Sequence, residues 1–386
     1  MKILYDTAFL SLLLLAFAIQ QPTTIAASYG LCGLYALIGL SRVSLTRSQV
    51  ITFFGIVIFS SLTVLNLNQG AASVFYLFSL PLAIMAARTF ANRPHQHVIS
   101  CLRYTFWLFV TATAIGIALH WEEAEPLGAI FPGVSTNGLP SYLIVLQIAY
   151  SITYYLKHNR LPLWPTVATL VVAIFGLGRG SIIIAGLILF SSIFLNALVT
   201  ESKSERRIFL AIGLAASPVA IFALFTYYTE IIAYFDLAIE GSKFSGGIID
   251  EHRARMMTDY LHKIDVYTLI FGANYNGTSI AAIYGGNPHN SFIRLHSFYG
   301  LAGFMLVFLS LVLIVASTKR LKHKTITLLF IIFSLLRAVT EPIFFPSPLD
   351  FFYILYLVVF FNFAERRDQP HFQNKRYASV PHREAN

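Results

Sequence analysis

The chain has 386 residues, of which 56% are hydrophobic and only 12% are charged, and its formal net charge is +9. This composition excludes an ordinary soluble globular protein of this size and predicts an all-α polytopic membrane protein. The basic residues cluster between apolar segments, so we interpret the charge as a determinant of membrane orientation and expect no nucleic-acid partner.

Apolar segments long enough to cross a bilayer as helices recur along nearly the whole chain. They predict about twelve transmembrane helices in a single integral membrane domain, residues 1–365. The approximate spans are 4–20, 24–41, 49–66, 71–87, 101–119, 139–156, 162–178, 180–199, 207–227, 296–317, 325–344 and 350–364. Residues 366–386 are polar and are predicted to form a disordered cytoplasmic tail.

The basic residues favour one orientation of these helices. They cluster in every second linker, for example at Arg88 and Arg93 and again at Lys157 and Arg160. If the helices alternate from a cytoplasmic N-terminus, all of these clusters face the cytoplasm, as the positive-inside rule requires. The pattern predicts that both termini are cytoplasmic and that residues 228–290 form a large loop on the opposite side, long enough to be functional.

Arg179 is a positive charge at a position that a simple bundle of membrane helices does not favour. It follows the apolar run 162–178 in the segment Gly-Leu-Gly-Arg-Gly-Ser and falls at the external end of its predicted helix. Positive charge there runs against the positive-inside pattern, and no carboxylate lies nearby in the sequence. We therefore expect Arg179 to bind a functional anion.

Within the large loop, residues 250–268 show helical periodicity. At 100° per residue, Arg253 lies at the centre of an apolar stripe with Met257 and Tyr260, whereas Arg255 lies on the opposite, polar face. A charge on a buried stripe needs an anionic partner, which makes Arg253 the stronger candidate for anion binding. Arg255 stays open as the alternative.

His289 lies where the loop re-enters the membrane. The sequence predicts that Asn287 caps a helix, that Pro288 occupies its first position and that His289 lies in its first turn. The positive end of the helix dipole then favours a neutral imidazole, a form that can accept a proton. Downstream, Arg337 and Glu341 are one turn apart in an apolar helix and are expected to form an internal ion pair.

These residues suggest a chemistry. Two arginine forks at Arg179 and Arg253 match the oxygens of a pyrophosphate, and His289 is suited to take a proton from an attacking hydroxyl. The sequence has no Asp-x-Asp motif, no His/Asp cluster at metal-ligand spacing and no Gly-rich phosphate loop, so no metal and no cofactor are expected. The set suits a lipid-linked phosphate donor and a polar acceptor.

The run His289-Asn290-x-x-Ile293-x6-Gly300 resembles the signature of the O-antigen ligase and O-antigen polymerase family of bacterial membrane glycosyltransferases. That family usually has Leu where this chain has Ile293. The glycine-rich segment around Arg179 is also similar to a short family segment.

The helix from Arg253 to Gly272 resembles a third family segment, although Met257 replaces the usual Trp. By motif alone, Arg253 and Arg255 are both possible counterparts of the family's arginine. The resemblance covers roughly residues 130–345.

The resemblance implies a GT-C-type fold in the bacterial inner membrane and a metal-independent, inverting glycosyl transfer at the periplasmic face. The donor would be a glycan on undecaprenyl pyrophosphate, with His289 activating the acceptor and Arg179 and Arg253 holding the pyrophosphate. A polymerase of O-antigen, capsule or exopolysaccharide repeat units, with a chain-length regulator as a candidate partner, is favoured over a ligase that uses lipid A–core. A twelve-helix transporter or flippase is the more distant alternative.

Overall fold

The computed structural model describes residues 2–19, 21–40, 47–64, 73–123, 125–131, 136–199, 251–317 and 321–367. Across these residues the chain forms fifteen α-helices and no strand. They are α1 (Lys2–Ile19), α2 (Pro22–Leu40), α3 (Arg47–Ser60), α4 (Ser73–Ala91), α5 (His95–Leu119), α6 (Pro126–Ile130), α7 (Gly138–His158), α8 (Leu163–Phe175), α9 (Arg179–Val199), α10 (Glu251–Leu261), α11 (Val266–Phe271), α12 (Ser279–Ala282), α13 (Ser291–Ser317), α14 (Leu321–Thr340) and α15 (Asp350–Arg367).

The helix lengths are those of a helical membrane protein. Six helices, α1, α5, α7, α9, α13 and α14, are long and apolar enough to cross a bilayer. Five shorter apolar helical segments lie in α2, α3, α4, α8 and α15. The coarse prediction of an all-helical membrane protein is thus confirmed, whereas the predicted span 207–227 and the first part of the large loop lie outside the described residues.

Helix α7 lies at the centre of the bundle. Almost all of its side chains are buried, against α5, α8, α9, α14 and α15. A helix that is apolar on every side is stable only when neighbours surround it, and its interior polar groups need partners. Gln147 accordingly donates to the hydroxyl of Ser151 at 3.1 Å, one turn further along. The two ends of α7 therefore provide fixed reference points for the polar clusters described below.

The predicted helix 250–268 is two helices, and the single-helix expectation is wrong. Helix α10 ends at Leu261 and α11 begins at Val266. Between them, Asp265 accepts the backbone N–H of Thr268 at 2.7 Å, and the Thr268 hydroxyl in turn accepts the N–H of Asp265. This reciprocal capping box starts a new helix where the periodicity alone suggests continuation.

The expected start of the next helix is also wrong, by three residues. Helix α13 begins at Ser291, because Asn290 Oδ1 accepts the backbone N–H of Phe292 at 2.7 Å and so acts as the cap. Asn287 instead accepts the N–H of His289 at 3.0 Å. His289 takes a left-handed backbone with a φ of 47° and lies just before the helix, not in its first turn.

Candidate anion-binding site

Arg337 is a buried guanidinium at the start of α7. It projects from the last turn of α14, with its side chain 2% exposed. It donates to the hydroxyl of Ser141 at 2.7 Å, to the carbonyl oxygen of Asn137 at 3.4 Å and to the hydroxyl of Thr340. These bonds join α14 to the beginning of α7 and hold the guanidinium in one orientation.

Glu341 is shared between two arginines. Its Oε1 atom lies 3.5 Å from Nη2 of Arg337 and 3.6 Å from Nη2 of Arg253. The expected pair between Arg337 and Glu341 is therefore confirmed, and Arg253 contacts the same carboxylate. Both distances exceed the 2.7–3.2 Å range of N–H···O hydrogen bonds. Two guanidinium groups and one carboxylate leave one positive charge in excess among the three groups.

Arg253 and Arg255 lie on different faces of α10. The Arg253 side chain is 34% exposed and reaches Glu341, whereas Arg255 is exposed. Met256 and Tyr260 are the buried residues of this helix. Met257 is 50% exposed, so the prediction that it lies on the buried stripe is wrong. The buried methionine is Met256, one residue earlier.

Arg179 is the first residue of α9 and is half-buried next to the same network. A Cβ at Gly180 would lie 3.2 Å from Nη1 of Arg337, which is closer than most real Cβ contacts. A Cβ at Gly178 would overlap the side-chain oxygen of Asn137. The two glycines around Arg179 thus let the start of α9 approach Arg337 and the start of α7.

His289 is tied to the same region through the helix that follows it. Two residues later, the Ser291 hydroxyl donates to the backbone carbonyl oxygen of Glu341 at 2.6 Å. The ring of Tyr284 lies 6.1 Å from the His289 ring, edge to face, and its hydroxyl is 2.8 Å from Nδ1 of His252 on α10. The structure therefore brings Arg179, Arg253 and His289 to one end of the bundle.

The remaining residues of the histidine motif have structural places. Ile293 is buried in a small apolar cluster with Met256 and Tyr260, which joins α13 to α10. Gly300 has a φ of 57° and kinks α13, and a Cβ there would overlap the carbonyl oxygen of Ile270. The glycine that ends the motif from His289 to Gly300 therefore permits a close backbone contact between α13 and α11.

His296 is a second buried histidine, and its hydrogen bonds define its tautomer. Its Nε2 lies 3.1 Å from the carbonyl oxygen of Leu269, which only accepts, so Nε2 carries the hydrogen. Its Nδ1 lies 2.8 Å from the hydroxyl of Tyr260 and accepts from it. Burial raises the pKa of Tyr260, which keeps that hydroxyl protonated. His296 is thus a structural link between α10, α11 and α13.

A carboxylate cluster around Asp6 was missed by the sequence analysis, because its members come from separate segments. The Asp6 side chain is fully buried. Its Oδ2 lies 2.6 Å from Nε2 of His97 and 3.1 Å from Nε of Arg93, and its Oδ1 accepts the hydroxyl of Tyr35 at 2.8 Å. Both carboxylate oxygens have protein partners within ordinary hydrogen-bond distance.

The sequence predicted no cluster of residues at metal-ligand spacing, and the structure contains one. Asp6, His97 and Cys101 offer ligand atoms that lie within 4.8 Å of one another. The carboxylate, however, already has a guanidinium partner, because Arg93 contacts both of its oxygens. A metal ion at Asp6 would have to displace that guanidinium and the bond to His97, so the geometry favours an internal ion cluster.

Comparison with known proteins adds no relative: no protein-family model, no curated protein and no solved structure matches the chain.

Proposed function

We propose that the protein is a membrane glycosyltransferase of GT-C type that polymerises undecaprenyl-pyrophosphate-linked oligosaccharide repeat units at the periplasmic face of the bacterial inner membrane. The observation that supports the proposal is that three distant segments meet at Arg337 and Glu341. Arg253 contacts Glu341, Gly180 beside Arg179 packs against Arg337, and Ser291 near His289 donates to the carbonyl oxygen of Glu341. A bundle of lipid-facing helices with an excess of positive charge at one end suits a membrane-bound anionic donor.

The reaction is a single displacement at the anomeric carbon of the donor glycan. The acceptor hydroxyl oxygen forms a bond to that carbon while the bond to the pyrophosphate oxygen breaks, which inverts the configuration. His289 takes the proton of the hydroxyl. The undecaprenyl pyrophosphate leaves with the electron pair, and Arg179 and Arg253 stabilise the charge that develops on its oxygens.

The two arginines that contact Glu341 have different parts in this proposal. Arg337 is enclosed by Ser141, Asn137 and Thr340 and its side chain is 2% exposed, so in this proposal it holds Glu341 in place. Arg253 is partly exposed, and its Nη2 atom lies 3.6 Å from Oε1 of Glu341, which is longer than a strong hydrogen bond. In this proposal Arg253 is the arginine that contacts the pyrophosphate.

A polymerase and a ligase differ in the acceptor, which is the non-reducing end of a second lipid-linked repeat unit or lipid A–core. The decisive experiment uses the purified protein in nanodiscs with lipid-linked glycan extracted from a strain of the source bacterium that lacks the gene. A polymerase yields a ladder of longer lipid-linked products. Transfer to added lipid A–core, without a ladder, would identify a ligase instead, and vesicle translocation without any transfer would overturn the enzyme proposal.

The matched variants are His289→Ala and His262→Ala. Loss of a general base should slow transfer at least about 100-fold while leaving binding of undecaprenyl pyrophosphate intact. His262 is exposed on the same loop, and its replacement should leave the rate within about twofold, as is usual for surface substitutions. A His289→Ala protein that transfers at the wild-type rate would remove His289 from the mechanism.

A further inference from the structure

Helix α11 is apolar and yet buries none of its residues. Its sequence is Val-Tyr-Thr-Leu-Ile-Phe, with no charged side chain, and it lies between a polar turn and Gly272. Val266 is 79% exposed and Tyr267 is 62% exposed, and Leu269 and Ile270 are exposed as well. An exposed cluster of large apolar side chains in a membrane protein requires either lipid or protein against it.

The backbone of α11 is fastened to a membrane helix at a defined depth. The carbonyl oxygen of Ile270 lies where a Cβ of Gly300 would be, and the carbonyl oxygen of Leu269 accepts from His296. Gly300 comes nine residues after Ser291, about 13 Å along α13 at 1.5 Å per residue.

This depth lies near the boundary of the hydrocarbon layer. The 17 residues that follow the kink at Gly300 extend about 26 Å at 1.5 Å per residue, which is close to the thickness of about 30 Å of the hydrocarbon core of a bilayer. The α11 residues that contact Gly300 lie at that same level.

Helix α13, against which α11 packs, has an exposed apolar surface of its own. Directly after Gly300, α13 exposes Leu301, Met305 and Phe308, all on a helix long and apolar enough to span the bilayer. Polar groups flank α11 on both sides in the chain: Lys263 before it donates to the carbonyl oxygen of Asn274 after it at 3.0 Å, and the capping box starts the helix. The apolar side chains of α11 thus lie between two polar segments, at the level where α11 contacts Gly300.

We propose that α11 is a membrane-inserted anchor whose partner is the acyl chains of the lipid leaflet on the α10 side of the protein. Helix α10 precedes α11 directly and is joined to α13 by Tyr260 and His296. The anchor therefore sets the height of Arg253 at the level of the lipid headgroups. The anchoring does not depend on the enzyme activity; its consequence, that Arg253 meets a lipid-linked pyrophosphate there, rests on the proposed function.

The test is a depth measurement on the full chain in nanodiscs of phosphatidylethanolamine and phosphatidylglycerol. With Cys32 and Cys101 replaced by Ala, an environment-sensitive fluorophore is attached to Tyr267→Cys or, as the matched control in the exposed part of the loop, to Asn276→Cys. At position 267 we expect quenching by doxyl-labelled lipids and none by an aqueous nickel chelate, and the reverse at position 276. Aqueous quenching at 267, or protection from both quenchers by a covering protein segment or second copy, would overturn the anchor.

The consequence for Arg253 has its own readout. Ile270→Asp places a charge at the hydrocarbon boundary and should weaken binding of undecaprenyl pyrophosphate about tenfold, while Asn276→Asp should not. Lipid quenching at position 267 without that loss would keep the anchor and refute the positioning of Arg253. Failure of the wild-type protein to bind undecaprenyl pyrophosphate would contradict the proposed function, with the depth result unaffected.

Discussion

Two buried carboxylates, Asp6 and Glu341, contact arginines near opposite ends of α7. Near the C-terminal end of α7, the carbonyl oxygen of Thr153 contacts His95, the first residue of α5. The Asp6 cluster lies at the same end of α5, because Arg93 and His97 both contact Asp6. Near the start of α7, Arg337 donates to Ser141 beside Glu341. The two clusters are thus separated by roughly 18 Å along the helix, at 1.5 Å per residue.

The two clusters differ in how well the carboxylate is satisfied. Among the described residues, Asp6 contacts one arginine, Arg93, and its shortest contacts with Arg93, His97 and Tyr35 lie between 2.6 and 3.1 Å. Glu341 is divided between two arginines at 3.5 and 3.6 Å. A saturated pair holds helices together, whereas a shared carboxylate leaves positive charge available to another anion. We infer that the first cluster is structural and the second binds ligand.

The largest expected effect comes from removing one arginine from each cluster. Arg253→Ala should weaken binding of undecaprenyl pyrophosphate by about 10- to 100-fold, since a hydrogen bond to a charged group contributes about 1.5–3 kcal/mol. Arg93→Ala should leave that affinity unchanged and lower the thermal stability instead. Arg255→Ala, on the exposed face of α10, serves as the matched control and should change neither quantity. Equal losses of affinity at 253 and 255 would refute the assignment of Arg253.

A smaller effect is expected from neutralising each carboxylate. Asp6→Asn should reduce the free energy of unfolding by roughly 3 kcal/mol, because Arg93 loses the carboxylate that it contacts at 3.1 Å. Glu341→Gln should cost less, since Arg337 keeps three other acceptors, and should tighten pyrophosphate binding by removing a nearby negative charge. Chemical denaturation and ligand titration of the two variants measure these changes. A Glu341→Gln protein that binds pyrophosphate more weakly would contradict the idea of a competing carboxylate.

The smallest effect concerns a half-buried carboxylate, Asp259, which accepts the N–H of Ser279 at 3.1 Å. The hydrogen bonds from Ser279 lower the pKa of Asp259 below its ordinary value. A carboxylate with a lowered folded-state pKa adds stability above its unfolded pKa of about 3.9 and loses it as the pH falls through the folded value. Wild type should therefore exceed Asp259→Asn in melting temperature at neutral pH, and the difference should shrink below about pH 4. A constant difference across that range would show that the bond does not depend on ionisation.

Local patterns in the sequence determined several features that the structure bears out. Hydropathy located the long apolar helices, because each helix buries its own backbone groups and shows its apolar character within about 20 residues. The one-turn spacing of Arg337 and Glu341 predicted their contact. The position of Arg253 on the apolar face of its helix predicted that it has an anionic partner. All of these depend on residues within a few turns of one another.

Helix ends were predicted less well, because single side-chain bonds decide them. Asn287 and Asn290 are equally good caps by residue type. Asn290 accepts the N–H groups of the first turn of α13, whereas Asn287 accepts the N–H of His289, which lies outside the helix. Asp265 likewise starts a new helix inside a continuous apolar pattern. Helix ends of this kind depend on which single side-chain hydrogen bonds form, and the hydrophobic periodicity does not indicate this.

Only the tertiary structure brought distant segments together. The sharing of Glu341 by Arg253 and Arg337, and the enclosure of Asp6 by Arg93, join helices whose separation in the chain carries no local signal. The helical periodicity placed each side chain on a face of its own helix. Which faces meet is decided by packing across the bundle, since the same apolar surface fits many neighbours until their buried charges must be paired.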